Sequence, residues 1–231
     1  MKSSHIYKIC AVMVFIFISN IGFCFEIKDN ETSLEITFDQ TPATPNSDIV
    51  KDKTNPKKSK KNNKDIKVIV QESKVKLFGR NQGIRHKKVA VFSINIYEAR
   101  MYFEDSKSKT TDPQELANSN YIAIKLKPLR SFSGDKLKEA MLMSYSKNNI
   151  NGETKAQVEF FEVIAKNKVI KNEPFYLVGV SLKDSDELYL MMKGINQKIV
   201  GHKGFIKEVF SVWLGEPVDA DLQKLKDTLT N

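Results

Sequence analysis

Thiols, histidine clusters and long apolar runs are all scarce in this chain, and each scarcity removes a class of function. Cysteine occurs twice in 231 residues, as Cys10 and Cys24. Both lie within the first 24 residues, and cleavage after Cys24 would leave no thiol. That excludes disulfides, a cysteine nucleophile and a thiolate metal site. His86 and His202 stand alone in loop-like sequence, with no second histidine at ligand spacing. No metal and no cofactor are therefore expected. Trp213 is the single tryptophan and reads as core, and Met141, Met143, Met191 and Met192 read as gap-fillers of an apolar interior. No internal repeat points to a solenoid or propeller.

Lys2 and Lys8 flank the start of an unbroken apolar run, Ile9–Ile18, which polar Ser19-Asn20 then interrupts. About ten apolar residues are too few to cross a bilayer that needs roughly 20. The pattern predicts a secretory signal peptide over residues 1–24, with Gly22 and Cys24 as small residues at the cleavage site. The expected location is periplasmic or secreted.

Residues 25–65 read as a disordered linker. Gln40-Thr41-Pro42-Ala43-Thr44-Pro45 leads into the basic run Lys57–Lys64, and large apolar residues are few. Such a stretch cannot bury enough surface to offset its ordering entropy. It holds eight lysines and eight acids, with the acids first. The lysine run suits contact with anionic headgroups, at about 1 kcal/mol per residue, or else is a solvated spacer. No aromatic residues interleave with it, and no nucleic-acid partner is expected.

Residues 66–231 form the expected folded domain, with 27 basic and 20 acidic side chains spread along it. Lys67–Phe78 is an extended run, and Gly79, Asn81 and Gly83 read as a turn before a long strand, Lys88–Phe103. The even positions Phe92, Ile94 and Ile96 make one apolar side of that strand. Ser93, Asn95, Tyr97 and Met101 make a mixed side. Asp112-Pro113 opens a short helix, and Tyr121–Lys127 alternates as a strand beside the long one. Ser133 caps a helix to about Lys147, and a second helix carries Val158, Phe161 and Ile164. Phe175–Leu182 and Leu188–Met192 form a hairpin, Gln197–Val200 extends the sheet, and helices at Phe205–Leu214 and Ala220–Leu229 close the chain. This order predicts an α+β fold, an antiparallel β-sheet packed against a layer of α-helices.

Three local patterns in that order resemble the chalcone isomerase-like family, in its secreted bacterial branch. They are Gly83-Ile84-Arg85 with Tyr102 seventeen residues on, Ser133-Gly134-Asp135-Lys136-Leu137, and Trp213-Leu214-Gly215-Glu216-Pro217-Val218-Asp219. The resemblance implies a cleft between sheet and helices. In the plant enzymes an arginine holds the ionised oxygen of the substrate while a water and a threonine–tyrosine pair assist. Carried over, the arginine falls on Arg85 and the threonine on Tyr97. The tyrosine becomes Leu137, the asparagine becomes Ser144, and the threonine near the last helix falls near Val212. Leu137 and Val212 cannot donate a hydrogen bond. What remains is similar to the non-catalytic fatty-acid-binding relatives, in which an arginine and a tyrosine grip a carboxylate.

The expected ligand-binding residues are Arg85, Tyr97, Leu137, Met141, Ser144 and Val212, with Phe161 also able to line a tail channel. The expected ligand is a small amphiphilic anion such as a fatty acid. Arg85 is the one candidate if the protein is instead a chalcone isomerase-type intramolecular lyase. A third reading is a structural or interaction domain of the cell envelope. The weaker alternative for Arg85 is a pairing with a structural carboxylate or a carbonyl near its turn.

Overall fold

A computed structural model describes residues 6–7, 25–30, 32–40, 71–89, 92–149 and 154–231. Its centre is one antiparallel sheet of nine strands that runs in sequence order from edge to edge. The strands are β1 (Ile6–Tyr7), β2 (Phe25–Asp29), β3 (Ser33–Gln40), β4 (Gln71–Val89), β5 (Phe92–Phe103), β6 (Tyr121–Pro128), β7 (Phe175–Ser181), β8 (Ser185–Met192) and β9 (Ile195–His202). Every neighbour pairs antiparallel, so the α+β class expected from the sequence is the class observed.

Among the described residues five α-helices complete the fold: α1 (Pro113–Ala117), α2 (Gly134–Asn148), α3 (Lys155–Ala165), α4 (Phe205–Leu214) and α5 (Ala220–Thr230). Their starts follow the capping signals. The side chains of Asp112, Ser133, Thr154 and Asp219 each accept a backbone N–H of the first turn. Thr154 and Gln157 form a reciprocal capping box. In α3 the buried residues fall at Ala156, Gln157, Phe160, Phe161 and Ile164, a single helical stripe. Val158, expected on that stripe, is 40% exposed, because its position points away from it.

Two cores lie on the two faces of the sheet. The larger joins Met101, Phe103, Ile122, Ile124 and Leu177 of the sheet to Phe160, Phe210, Trp213 and Leu225 of the helices. The smaller joins Leu77, Tyr102, Ala123 and Val178 to Ile27, Leu34, Ile36 and Phe38. The last four belong to the segment read from sequence as a disordered linker, which the structure corrects over residues 25–30 and 32–40. Leu34 and Ile36 are wholly buried, and burial of such a side chain contributes about 2 kcal/mol. Apolar residues at alternate positions along eight residues suffice for a strand. The sheet curls to bring these strands across its own face. Lys125 of β6 and the Tyr176 hydroxyl of β7 both donate to Asp29 of β2, at 2.5 and 3.0 Å. The Phe38 ring of β3 lies 5.2 Å from that of Tyr189 on β8.

The stretch read as a turn, Gly79 to Gly83, is also corrected. It is the middle of one 19-residue strand. Pairing with β5 shifts there: Gly79 faces Tyr102 and Gln82 faces Arg100, so Arg80 and Asn81 oppose the single residue Met101. Arg80 fixes this bulge by donating to the carbonyls of Lys107 and Thr110 at 2.6 and 2.7 Å. Gly83 is where α5 crosses the strand, since a Cβ there would stand 2.6 Å from Leu225.

The remainder of the expected signal segment, apart from Ile6–Tyr7, lies outside the described residues, as does the lysine run Lys57–Lys64. No helix among the described residues is long and apolar enough to cross a membrane.

Candidate ligand-binding cavity

A second bulge positions the site. Arg85 pairs with Tyr97 and His86 with Asn95, which leaves Ile96 of β5 as the extra residue. Its carbonyl is satisfied by the Leu129 N–H at 2.9 Å. Beyond the bulge the side-chain parity of β5 reverses. Tyr97 therefore shares a face with Ala99 and Met101, while on its other side Ile94, paired with Lys87, points the same way. The even and odd sides of the strand, which the sequence separates, converge on one space.

That space is a cavity of about 600 Å³ between β4–β5 and helices α2, α4 and α5. Small-molecule sites occupy about 300–1,000 Å³. All six residues singled out from the sequence line it: Arg85, Tyr97, Leu137, Met141, Ser144 and Val212. Phe161 is buried in the core and is not among the lining residues. Two other concavities, of about 390 and 230 Å³, are smaller and lined largely by charged or loop residues.

Helical spacing brings Leu137, Met141 and Ser144 to one face of α2, where all are buried. Val212 and Trp213 of α4 close the opposite wall. The Trp213 indole donates to the Tyr97 hydroxyl at 3.2 Å, so the tryptophan is core and wall at once. Tyr97 accepts that bond and keeps its own O–H available as a donor. Burial pushes the Tyr97 phenol up, against the opposing effects of the Trp213 bond and the Arg85 charge. The hydroxyl is thus a neutral donor and not a phenolate base.

Arg85 does not stand free. One guanidinium nitrogen donates to Asp219 Oδ2 and another to the His86 carbonyl, both at 2.6 Å. Of the roles left open by the sequence, the contact with a carboxylate and a carbonyl is therefore real, and Arg85 lines the cavity as well. Asp219 was not foreseen as its partner. Its other oxygen caps α5 by accepting the Leu222 N–H at 2.7 Å. Burial alone would raise the Asp219 carboxyl; the Arg85 hydrogen bond and the Leu222 N–H outweigh it and hold the group below the ordinary value. A carboxylate so stabilised is a weak proton acceptor.

Three further cations were missed: Lys87, Arg130 and Lys136 also line the cavity. None forms an ion pair among the described residues. The lining thus combines four cations and one carboxylate with a floor of Leu126, Leu137, Met141 and Val212. Arg130 and Lys136 are ordinary surface charges in the sequence, and only the fold brings them to the strand that carries Arg85. No group of three or more metal-ligating side chains occurs among the described residues.

The structure is thus an α+β protein with a largely apolar cavity, lined by cations, between a curled antiparallel sheet and a helical layer. A family model described as chalcone isomerase-like matches residues 57–229, and the chain belongs to that family. No curated protein matches the chain.

Proposed function

We propose that this protein is an exported, non-catalytic binding module for a fatty acid or a similar amphiphilic anion, of the secreted bacterial branch of its family. The reading rests on Arg85 and the Tyr97 hydroxyl meeting at the charged end of an otherwise apolar cavity of about 600 Å³. Arg85 retains N–H groups beyond the two bonds it makes, and Tyr97 adds a neutral donor. Each buried methylene of a tail contributes about 0.8 kcal/mol, so a long chain supplies on the order of 10 kcal/mol gross. A charged hydrogen bond adds roughly 1.5–3 kcal/mol. The tail sets affinity, and the cationic end sets orientation and headgroup choice. Export through the segment 1–24 and contact of Lys57–Lys64 with lipid headgroups belong to the same reading.

A chalcone isomerase-type intramolecular lyase is the alternative that Arg85 favours. Ring closure needs an oxyanion stabiliser and a group that manages a proton. Leu137 and Val212 offer neither, and Asp219 is committed to Arg85 and to the start of α5. An envelope interaction domain is the third reading, and the open volume of the cavity weighs against it.

Native mass spectrometry of the purified protein, with organic extraction of anything bound, tests the proposal. A co-purifying lipid acid whose occupancy falls in Arg85→Ala is the expected result. Arg85→Ala should weaken acid binding about ten- to a hundredfold while leaving a neutral ligand of equal length nearly unchanged. A clean apo mass that persists after incubation with fatty acids would overturn it, and turnover of a chalcone would replace it with the lyase.

A further inference from the structure

The rim of the cavity exposes large apolar side chains where a soluble surface has no use for them. Phe92, at the start of β5, is 72% exposed, and Met143 of α2 is 66% exposed. Phe92 pairs with Val89 in regular register, two residues from Ile94, and so projects from the face that forms the cavity. The rise of a strand puts it about 7 Å beyond Ile94. Met143 itself lines the cavity. Three cations share this rim: Lys87 lies opposite Ile94, and Arg130 and Lys136 line the cavity from the loop before α2 and from its first turn. All three are exposed, and none forms an ion pair among the described residues. The one carboxylate of the lining, Asp219, is taken by Arg85.

Exposed apolar groups ringed by unpaired cations mark a binding surface, and the chemistry they complement is an anionic headgroup layer over acyl chains. We infer that the paired ends of β4 and β5 and the exposed side of α2 dock on an anionic lipid surface, with Phe92 and Met143 in the acyl boundary, and that an amphiphile passes between lipid and cavity there. The passage rests on the binding reading above; the docking does not. The Lys57–Lys64 run lies outside the described residues, and the docking does not rest on it.

Tryptophan placed at position 92 reports docking independently of any other anchor. In the full chain, Phe92→Trp emission should shift to the blue on phosphatidylglycerol vesicles, and brominated acyl chains should quench it at least about twofold more than the Trp213 emission of the unmodified protein. Zwitterionic vesicles should give neither effect, and Lys87→Glu with Arg130→Glu should abolish both. Phe92→Ser should slow transfer of a fluorescent fatty acid from vesicle to protein about tenfold. Its affinity for the same acid in vesicle-free solution should not change. Phe92→Trp emission indifferent to anionic vesicles, with acid binding intact, overturns the docking surface alone. Insertion without acid binding in solution overturns the binding module and the passage with it. A blue shift that grows with protein concentration in the absence of vesicles would make a second copy the occupant and overturn the lipid assignment.

Discussion

Asp219 competes with any ligand for Arg85, so removal of its charge should tighten acid binding. The perturbation is Asp219→Asn. Asparagine caps a helix about as well as aspartate, and the Leu222 N–H keeps its acceptor, so α5 should start where it does now. The change then falls on the Arg85 contact, where Asp219 is 47% exposed and Arg85 14%. A ligand carboxylate on the open edge of the guanidinium would lie about 5 Å from Asp219. With an effective dielectric constant of about 40, intermediate between a protein surface and water, the repulsion is about 1.5 kcal/mol. Half-exposure and salt reduce this to about 1 kcal/mol, or about fivefold in Kd. Loss of a pair this exposed should cost the fold no more than about 1 kcal/mol. Calorimetric titration with a long-chain acid and with the alcohol of the same length separates the two effects. The acid should bind about fivefold tighter and the alcohol should not change, while thermal stability falls slightly. A weaker acid, or an equal change for both ligands, would refute the reasoning and make the Arg85–Asp219 pair purely structural.

The same pair predicts an acid limb of stability. Asp219 is held below the ordinary carboxylate value, so its contribution is fully present above about pH 4 and is lost as pH falls through its lowered folded value. The difference in denaturation midpoint between the unmodified protein and Asp219→Asn should shrink on acidification through that window; a gap unchanged at the lowest pH would contradict it. Ile36→Ala should cost about 2–5 kcal/mol in urea unfolding, as expected for a wholly buried side chain, whereas a loss under about 1 kcal/mol would return residues 25–40 to the status of a tether. Tyr97→Phe strips the buried Trp213 indole of its acceptor and should cost about 1–3 kcal/mol of stability. It should also weaken acid binding by up to about tenfold, and a variant that binds acid normally would remove Tyr97 from the headgroup site.

Local signals carried most of the fold. The caps at Asp112 and Ser133, the alternation of Tyr121–Lys127 and the last two helices all depend on neighbours within a turn or two, and such neighbours are visible in a string of residues. The six cavity residues were reached only through the family resemblance; no spacing rule joins Arg85 to Val212. Three features stayed hidden for one reason. The Arg85–Asp219 contact spans 134 residues, the cations Arg130 and Lys136 are remote from Lys87, and the cover supplied by β2 and β3 is fixed by the curl of the whole sheet. Low apolar content made residues 25–40 look unable to fold, although Ile27, Leu34, Ile36 and Phe38 already alternate with polar positions. Averaged with the Pro- and Lys-rich stretch that follows, their composition conceals that alternation.

Gly79, Asn81 and Gly83 suggested a turn, and their actual use explains how one strand serves two cores. Leu77 of β4 packs into the smaller core beneath β2 and β3. Arg85 is eight residues later, an even number, so in a regular strand it would point to the same face as Leu77. It would then be set against apolar side chains and far from α4 and α5. The extra residue opposite Met101 reverses parity once, and Gly83, Arg85 and Lys87 all turn toward the helices. A glycine on either side of the bulge serves the close approaches that result: Gly79 beneath Tyr102 and Gly83 beneath Leu225. The Ile96 bulge then makes the matching correction on β5, without which Ile94 would leave the face that Tyr97 occupies. The charged end of the cavity therefore depends on two one-residue irregularities in a single strand pair. Substitutions that stiffen the Gly79–Gly83 stretch should disturb headgroup recognition before they disturb the fold.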